Sequence, residues 1–286
     1  MSFIIARFLF LSKVQCSDGR TRIPKRYCTL LKQSPTALIA LFQNAKLIRI
    51  FKKGGGMAKH IGIVACSAEG AALCYRTICG EAPREMGEHR HPEITMHTHP
   101  LAEYMAYIRE GDWERVAQLM LSSAEKLAKV GAHFAICPDN TIHQAFQFVK
   151  PNSPLPWLHI AETVALKAKE SGFKRLAILG TKYLMTGPVY PDVLGRFGIT
   201  HEIPDEKDRD RIDEIIFEEL VNGLFVEQSR VYFNGVIEKL KQAGCDAAVL
   251  GCTEIPLIVD PNDCPLPTLD STRLLARAAL RKAIET

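Results

Sequence analysis

From Lys59 onward the chain alternates short apolar runs with stretches of helical period. A chain with that alternation can bury its apolar faces only by laying helices over a mostly parallel sheet. Residues 60–66 predict a first strand and 69–79 its helix, and 93–98 predict a second strand. Asp112 is an N-cap candidate for a long helix over 113–130, closed by Gly131. Strands follow at 133–138 and 156–160, then a helix at 161–171 ended by Gly172, and a strand at 175–181. Charges interleaved with Ile212, Ile215, Ile216 and Leu220 predict one solvated helix with an apolar face across 205–224. A helix at 229–243, a strand at 246–252 and a last helix at 271–284 complete the pattern. The expected fold is therefore α/β, with right-handed crossovers and two similar α/β domains built on parallel-rich central sheets. The Pro-rich stretch 151–156 is the expected crossing point between domains 57–155 and 156–267, with 268–286 returning to the first.

The net charge of +4 hides an asymmetry. Residues 1–56 hold eleven Lys/Arg against the single acid Asp18, so that segment is +10 and the remainder −6. A targeting peptide or a nucleic-acid arm would have this bias. Arg7 interrupts the apolar stretch Phe3 to Leu11, which argues against a secretory signal. Lys53-Gly54-Gly55 just before Gly56-Met57 fits a purine-rich ribosome-binding site read through in frame. The leader is thus expected to be disordered or a gene-model artefact, with Met57 as the start and no nucleic-acid partner. Nine cysteines in irregular positions, without a Cys-x-x-Cys pair, fit a reducing, cytoplasmic setting. No apolar stretch is long enough to cross a bilayer, so no membrane partner is expected.

Two strand ends carry the chemistry. Phe134-Ala135-Ile136 runs into Cys137-Pro138-Asp139-Asn140-Thr141, and Ala247-Ala248-Val249-Leu250 runs into Gly251-Cys252-Thr253-Glu254-Ile255-Pro256. The C-terminal ends of parallel strands are where such sheets bind ligands. Two ends facing each other can act on one substrate atom from opposite sides. Cys252 stands between a strand and a helix start, where unpaired N–H groups favour a thiolate. Among the histidines, His97 and His99 alternate onto one strand face, but no acid or Cys ligand sits at matching spacing, so no metal is expected.

These two segments, together with Gly62-Ile63-Val64, Ser67, Glu69, 158–161, 179–182 and Asp270-Ser271-Thr272, resemble the aspartate/glutamate racemase superfamily over nearly all of 59–286. Glu254 follows the aspartate-racemase pattern, where glutamate racemases of wall synthesis carry His. The resemblance implies a racemase that needs no pyridoxal phosphate, metal or nucleotide and takes a small amino acid, aspartate or glutamate, as substrate. It implies two opposed acid/base residues, a substrate cradle of Ser67, Asn140, Thr141, Thr181, Lys182, Thr253 and Glu254, and a homodimer. Unperturbed Cys titrates near pKa 8.5, so a modest lowering would give Cys252 a useful thiolate fraction.

The chain departs from the family pattern at the first strand end. The first catalytic Cys of aspartate racemases directly precedes Asn-Thr; here that register position is Asp139, and Cys137 lies beyond Pro138. Three readings stay open: Asp139 as the first acid/base, Cys137 swinging in with Asp139 activating it, or a lost first base. The register favours Asp139. The family's Arg for a side-chain carboxylate has no counterpart near His97-Thr98-His99, and one of those histidines is expected to line the side-chain pocket. His159 is expected to be a hydrogen-bonded core residue. A one-cysteine decarboxylase or isomerase of a small dicarboxylate, or a non-catalytic ligand-binding relative, are the alternatives.

Overall fold

The computed structural model describes residues 58–285, and the expectations for 1–56 lie outside them. The described chain forms two lobes, each a four-stranded, all-parallel sheet. In the first lobe, β1 (Ile61–Ala65), α1 (Ala68–Met86), β2 (Ile94–Thr98), α2 (Leu101–Glu110), α3 (Trp113–Lys129) and β3 (Phe134–Ile136) follow in order. A 3-10 turn (Thr141–Ala145), α4 (Phe146–Val149) and β4 (Trp157–Leu158) complete it. Helix α5 (Ile160–Ser171) leads to the second lobe: β5 (Arg175–Leu179), α6 (Lys182–Met185), α7 (Val189–Arg196), β6 (Thr200–Glu202), α8 (Glu206–Glu214), α9 (Glu227–Gln242), β7 (Ala247–Leu250), α10 (Ile255–Ile258) and β8 (Thr268–Asp270). The last helix is α11 (Ser271–Ile284).

The two sheets repeat one topology. Their orders are β2-β1-β3-β4 and β6-β5-β7-β8, so β3 and β7 hold equivalent places beside the first-formed strands β1 and β5. In each lobe the chain reverses its direction of travel between those two strands, which makes that gap the ligand-binding crevice of an open α/β sheet. Both sheets are covered on both faces, as parallel sheets require. Val64 enters one core layer with Tyr104 and Met120, while Ile61 and Ile63 enter the opposite layer with Ile78 and Phe134. In the second lobe Ala248 and Leu250 face Phe233 and Ile237, while Ala247 and Val249 face Tyr190 and Leu194.

The Pro-rich stretch does not open the second lobe, because Trp157–Leu158 pairs in parallel with β3. Passage between lobes is made by α5, ended by Gly172 in the left-handed conformation at φ 81°. At the other end β8 pairs with β7, and only α11 returns to the first lobe, burying Leu275, Ala276 and Ala279 against Ile61, Ile63 and Ile78. Asp112 caps α3 as expected, its carboxylate accepting the Arg115 N–H at 3.0 Å. The single helix expected over 205–224 is broken: α8 stops at Glu214, a π-helical turn spans Ile215–Glu219, and a 3-10 turn closes Leu220–Asn222. Among the described residues, no helix is long and apolar enough to cross a membrane.

Candidate active site

Beyond β3 the chain separates Cys137 from Asp139. The Cys137 side chain is fully buried in the layer with Tyr104 and Met120, whereas Asp139 lines an open cleft. Asp139 Oδ2 accepts the N–H groups of Cys66 (3.3 Å) and Ser67 (3.2 Å), at the entry to α1. Ser67 caps that helix, its Oγ accepting the Gly70 N–H at 3.2 Å. A helix N-terminus favours the ionised carboxylate, but burial wins. Desolvation raises the Asp139 pKa to about 6, with the Glu254 charge adding to the rise and the Ser67 and Cys66 bonds opposing it. Beneath it, His143 Nδ1 donates to the Asp139 carbonyl at 2.8 Å, which fixes the tautomer. Burial lowers the pKa of His143 to about 4, so that ring is neutral and holds the loop without charging it.

Beyond β7, Gly251 is needed where β5 and β7 end together: a Cβ there would lie 2.7 Å from the Leu179 carbonyl oxygen. Next to it, Cys252 Sγ donates to Glu254 Oε2 at 2.9 Å, and Thr253 Oγ1 donates to the same oxygen at 2.7 Å. The thiolate-favouring environment expected for Cys252 is not what forms. Burial, then the Glu254 carboxylate, push its pKa well above the ordinary thiol value, and Asp139 adds to the rise. Helix α10, which follows, is a single turn, and among the described residues no cation stands beside the sulfur to oppose these effects. Cys252 is therefore a thiol at neutral pH.

Polar side chains tie the two strand ends together. Asn140 Nδ2 donates to Ser271 Oγ at 2.9 Å, and Tyr190 O–H donates to Asn140 Oδ1 at 2.8 Å. Ser271 Oγ in turn donates to the Leu250 carbonyl at 2.9 Å, so Asn140 of the first lobe is anchored to the end of β7. Thr141 and Thr181 share a hydroxyl–hydroxyl bond of 3.0 Å between lobes. At Gly70 in the first turn of α1, an added Cβ would lie 2.7 Å from Thr253 Cγ2, so the lobes approach closely there too.

Eight of the nine expected site residues line this one cleft: Ser67, Asp139, Asn140, Thr141, Thr181, Cys252, Thr253 and Glu254. Lys182 does not. Its ammonium turns outward to Asp210 and its backbone N–H donates to Asp213, because Thr181 caps a short helix that carries the next side chain away from the cleft. The histidine expectation also fails. His97 binds Ser123 Oγ at 3.0 Å and Lys126 Nζ at 3.0 Å, and His99 meets Ser122, so both rings lie along α3. His159 packs edge-on against His143 and Phe146, but its Nδ1 has no hydrogen-bond partner. Among the described residues, no cluster of three or more His, Cys, Asp or Glu could hold a metal.

The expectations do not include the apolar part of the cleft lining. It comes from Leu101, Met105 and Ile108 on α2, and from Ile216, Phe217 and Val221 on the π turn and the segment after it. The spacing Leu101, Tyr104, Met105, Ile108 after Pro100 is a readable helix signal. The π turn has none.

These features define a two-lobed α/β protein that presents a carboxyl group and a thiol, from equivalent strand ends, into one cleft. A family model described as Asp/Glu/hydantoin racemase matches residues 61–279, and the chain belongs to that family. A broad-specificity amino-acid racemase, RacX of Bacillus subtilis, is 22% identical over 198 residues, covering 66% of this chain and 81% of RacX. A solved Yersinia pestis structure assigned to the Asp/Glu racemases is 32% identical at a TM-score of 0.74, covering 79% of this chain and all of that one. An aspartate racemase homologue from Pyrococcus horikoshii OT3 shares the fold at a TM-score of 0.71 and 24% identity, over 79% of this chain and 100% of its own.

Proposed function

We propose that this protein racemises an α-amino acid by passing the α-proton between Asp139 and Cys252. The observation that carries the proposal is the pairing in one cleft of a carboxyl of pKa about 6 and a thiol of much higher pKa, held at equivalent strand ends. Near pH 7 the resting site is carboxylate facing thiol, which is the protonation state a two-base inversion needs.

In the forward step the Cα–H bond breaks and Asp139 takes the proton. The electron pair left on Cα delocalises into the α-carboxylate, whose developing charge meets the spare Asn140 N–H and the one hydroxyl proton that the Thr141–Thr181 pair leaves free. Cys252 then delivers its proton to the opposite face. The product leaves inverted, with Asp139 protonated and Cys252 as thiolate, and proton exchange with water restores the resting pair. Glu254 Oε2 is occupied by Cys252 and Thr253, so Oε1 is the acceptor for the substrate ammonium. That ammonium also lowers the cost of the transient thiolate, by placing a positive charge beside groups that otherwise carry only negative ones.

The test is proton exchange in deuterated water. Incubation with single enantiomers should give the opposite enantiomer with deuterium at Cα. A decarboxylase would release carbon dioxide, and a binding relative would leave Cα–H intact; either result overturns the proposal.

A further inference from the structure

Among the described residues, none that lines the cleft is Arg, Lys or His; its charged side chains are the two acids Asp139 and Glu254. The cationic residues nearest in sequence to its walls do not line it, and Arg109, next to Ile108 on α2, is exposed and outside the lining. Lys182 pairs with Asp210, His97 and His99 lie on α3, and the neutral His143 sits under the Asp139 loop. A substrate with a side-chain carboxylate would add a second negative charge, besides its α-carboxylate, to a cleft with two acids and no cation.

The wall that would meet a side chain is apolar instead. Ile108 and Ile216 are buried at its floor, while Leu101 and Val221 stand at its rim, 40% and 45% exposed. The π turn builds the second-lobe half. Its wider i→i+5 bonding closes from Leu220 N–H to the Ile215 carbonyl and brings residue i+5 over residue i. Ile216 and Val221 have that spacing and line the same cleft with Phe217 between them.

Resting on the racemase reading, we propose that the substrate side chain is apolar and uncharged (aliphatic, thioether or aromatic) and that Leu101, Met105, Ile108, Ile216, Phe217 and Val221 are its specificity wall. A cationic side chain would strand its charge against the same wall, since none of its six residues carries an acid.

Two readouts test this separately from turnover. In the exchange assay, leucine, methionine and phenylalanine should exceed aspartate, glutamate and lysine by about 100-fold in kcat/KM. Aspartate, glutamate or lysine matching them would overturn the proposal. The second readout is protection of Cys252 from alkylation by iodoacetamide, which needs binding but no catalysis. Protection by methionine or leucine and not by aspartate supports the wall even if no amino acid is racemised, in which case only the racemase reading falls. Equal or better protection by aspartate, or none by any apolar amino acid, overturns it. Val221→Arg and Leu101→Arg, at rim positions that tolerate a polar head, should shift the leucine-to-aspartate ratio toward aspartate by tenfold or more; an unchanged ratio in both variants counts against the wall.

Discussion

The two lobes share a strand order, yet their equivalent strand ends hold a proton very differently. Beyond β3 a carboxylate is cradled by two N–H groups and titrates near pH 6; beyond β7 a thiol faces another carboxylate and stays protonated. Equivalent topology supplies two positions on one cleft, and the local partners decide that one holds a carboxylate and the other a thiol near pH 7. A symmetric pair of cysteines would have to divide those roles by some other means.

The largest expected effects come from removing either end. Cys252→Ala and Asp139→Asn should each lower racemisation by about 10² to 10⁴-fold, the usual worth of a positioned acid or base. The wild-type kcat/KM should rise with pH through about 6 as Asp139 ionises, and Asp139→Asn should lose that limb. The same carboxyl has a stability consequence of fixed sign. Its folded pKa of about 6 exceeds the unfolded value of 3.8, so the stability it contributes is present below pH 4 and lost as pH rises through 6. Urea unfolding should therefore find Asp139→Asn more stable than wild type above pH 6, by at most about 3 kcal/mol, with the gap closing toward pH 4.

Glu254→Gln probes the other end. Loss of its charge should lower the Cys252 pKa and speed alkylation by iodoacetamide at pH 8 about tenfold or more, because the thiolate is the reacting form. Unchanged alkylation would show that burial alone sets the thiol. Gly70→Ala gains helix propensity of about 1 kcal/mol but drives a Cβ into Thr253 and Ser67. The clash should win, giving net destabilisation of about 1–3 kcal/mol in thermal unfolding, with reduced activity. The smallest effects belong to the two residues turned away from the cleft. Cys137→Ala should lose about 1 kcal/mol of stability from its buried site, and Lys182→Ala about 0.5 kcal/mol or less from a surface pair, both with kcat/KM within about twofold of wild type.

Much of this molecule is legible in its sequence. The alternation of buried strands and capped helices dictates parallel α/β sheets, and Asp112, Gly172 and the terminal helix at 271–284 fall where their cap chemistry puts them. The two strand-end motifs bring six cleft residues into view and the ends of β1 and β5 add Ser67 and Thr181, because residues at the C-terminal ends of neighbouring parallel strands share one crevice whatever the loops do. Lys182 escapes that logic: a helix starting at Thr181 rotates each successive side chain by about 100°, and the rotation carries the next residue to Asp210. Position along the chain cannot show where Cys137 turns, since one proline between it and Asp139 breaks strand alternation.

The sequence by itself determined the architecture and pointed to the two strand ends that share the cleft, because periodicity and strand-end chemistry are local. Tertiary structure alone decided the protonation of Asp139 and Cys252 and the lining beside them. The Asp139 pKa depends on burial and on Glu254 from the other lobe, and the thiol form of Cys252 depends on a carboxylate with no cation to balance it. The apolar wall joins α2 to a π turn more than a hundred residues away, a pairing that no local pattern encodes.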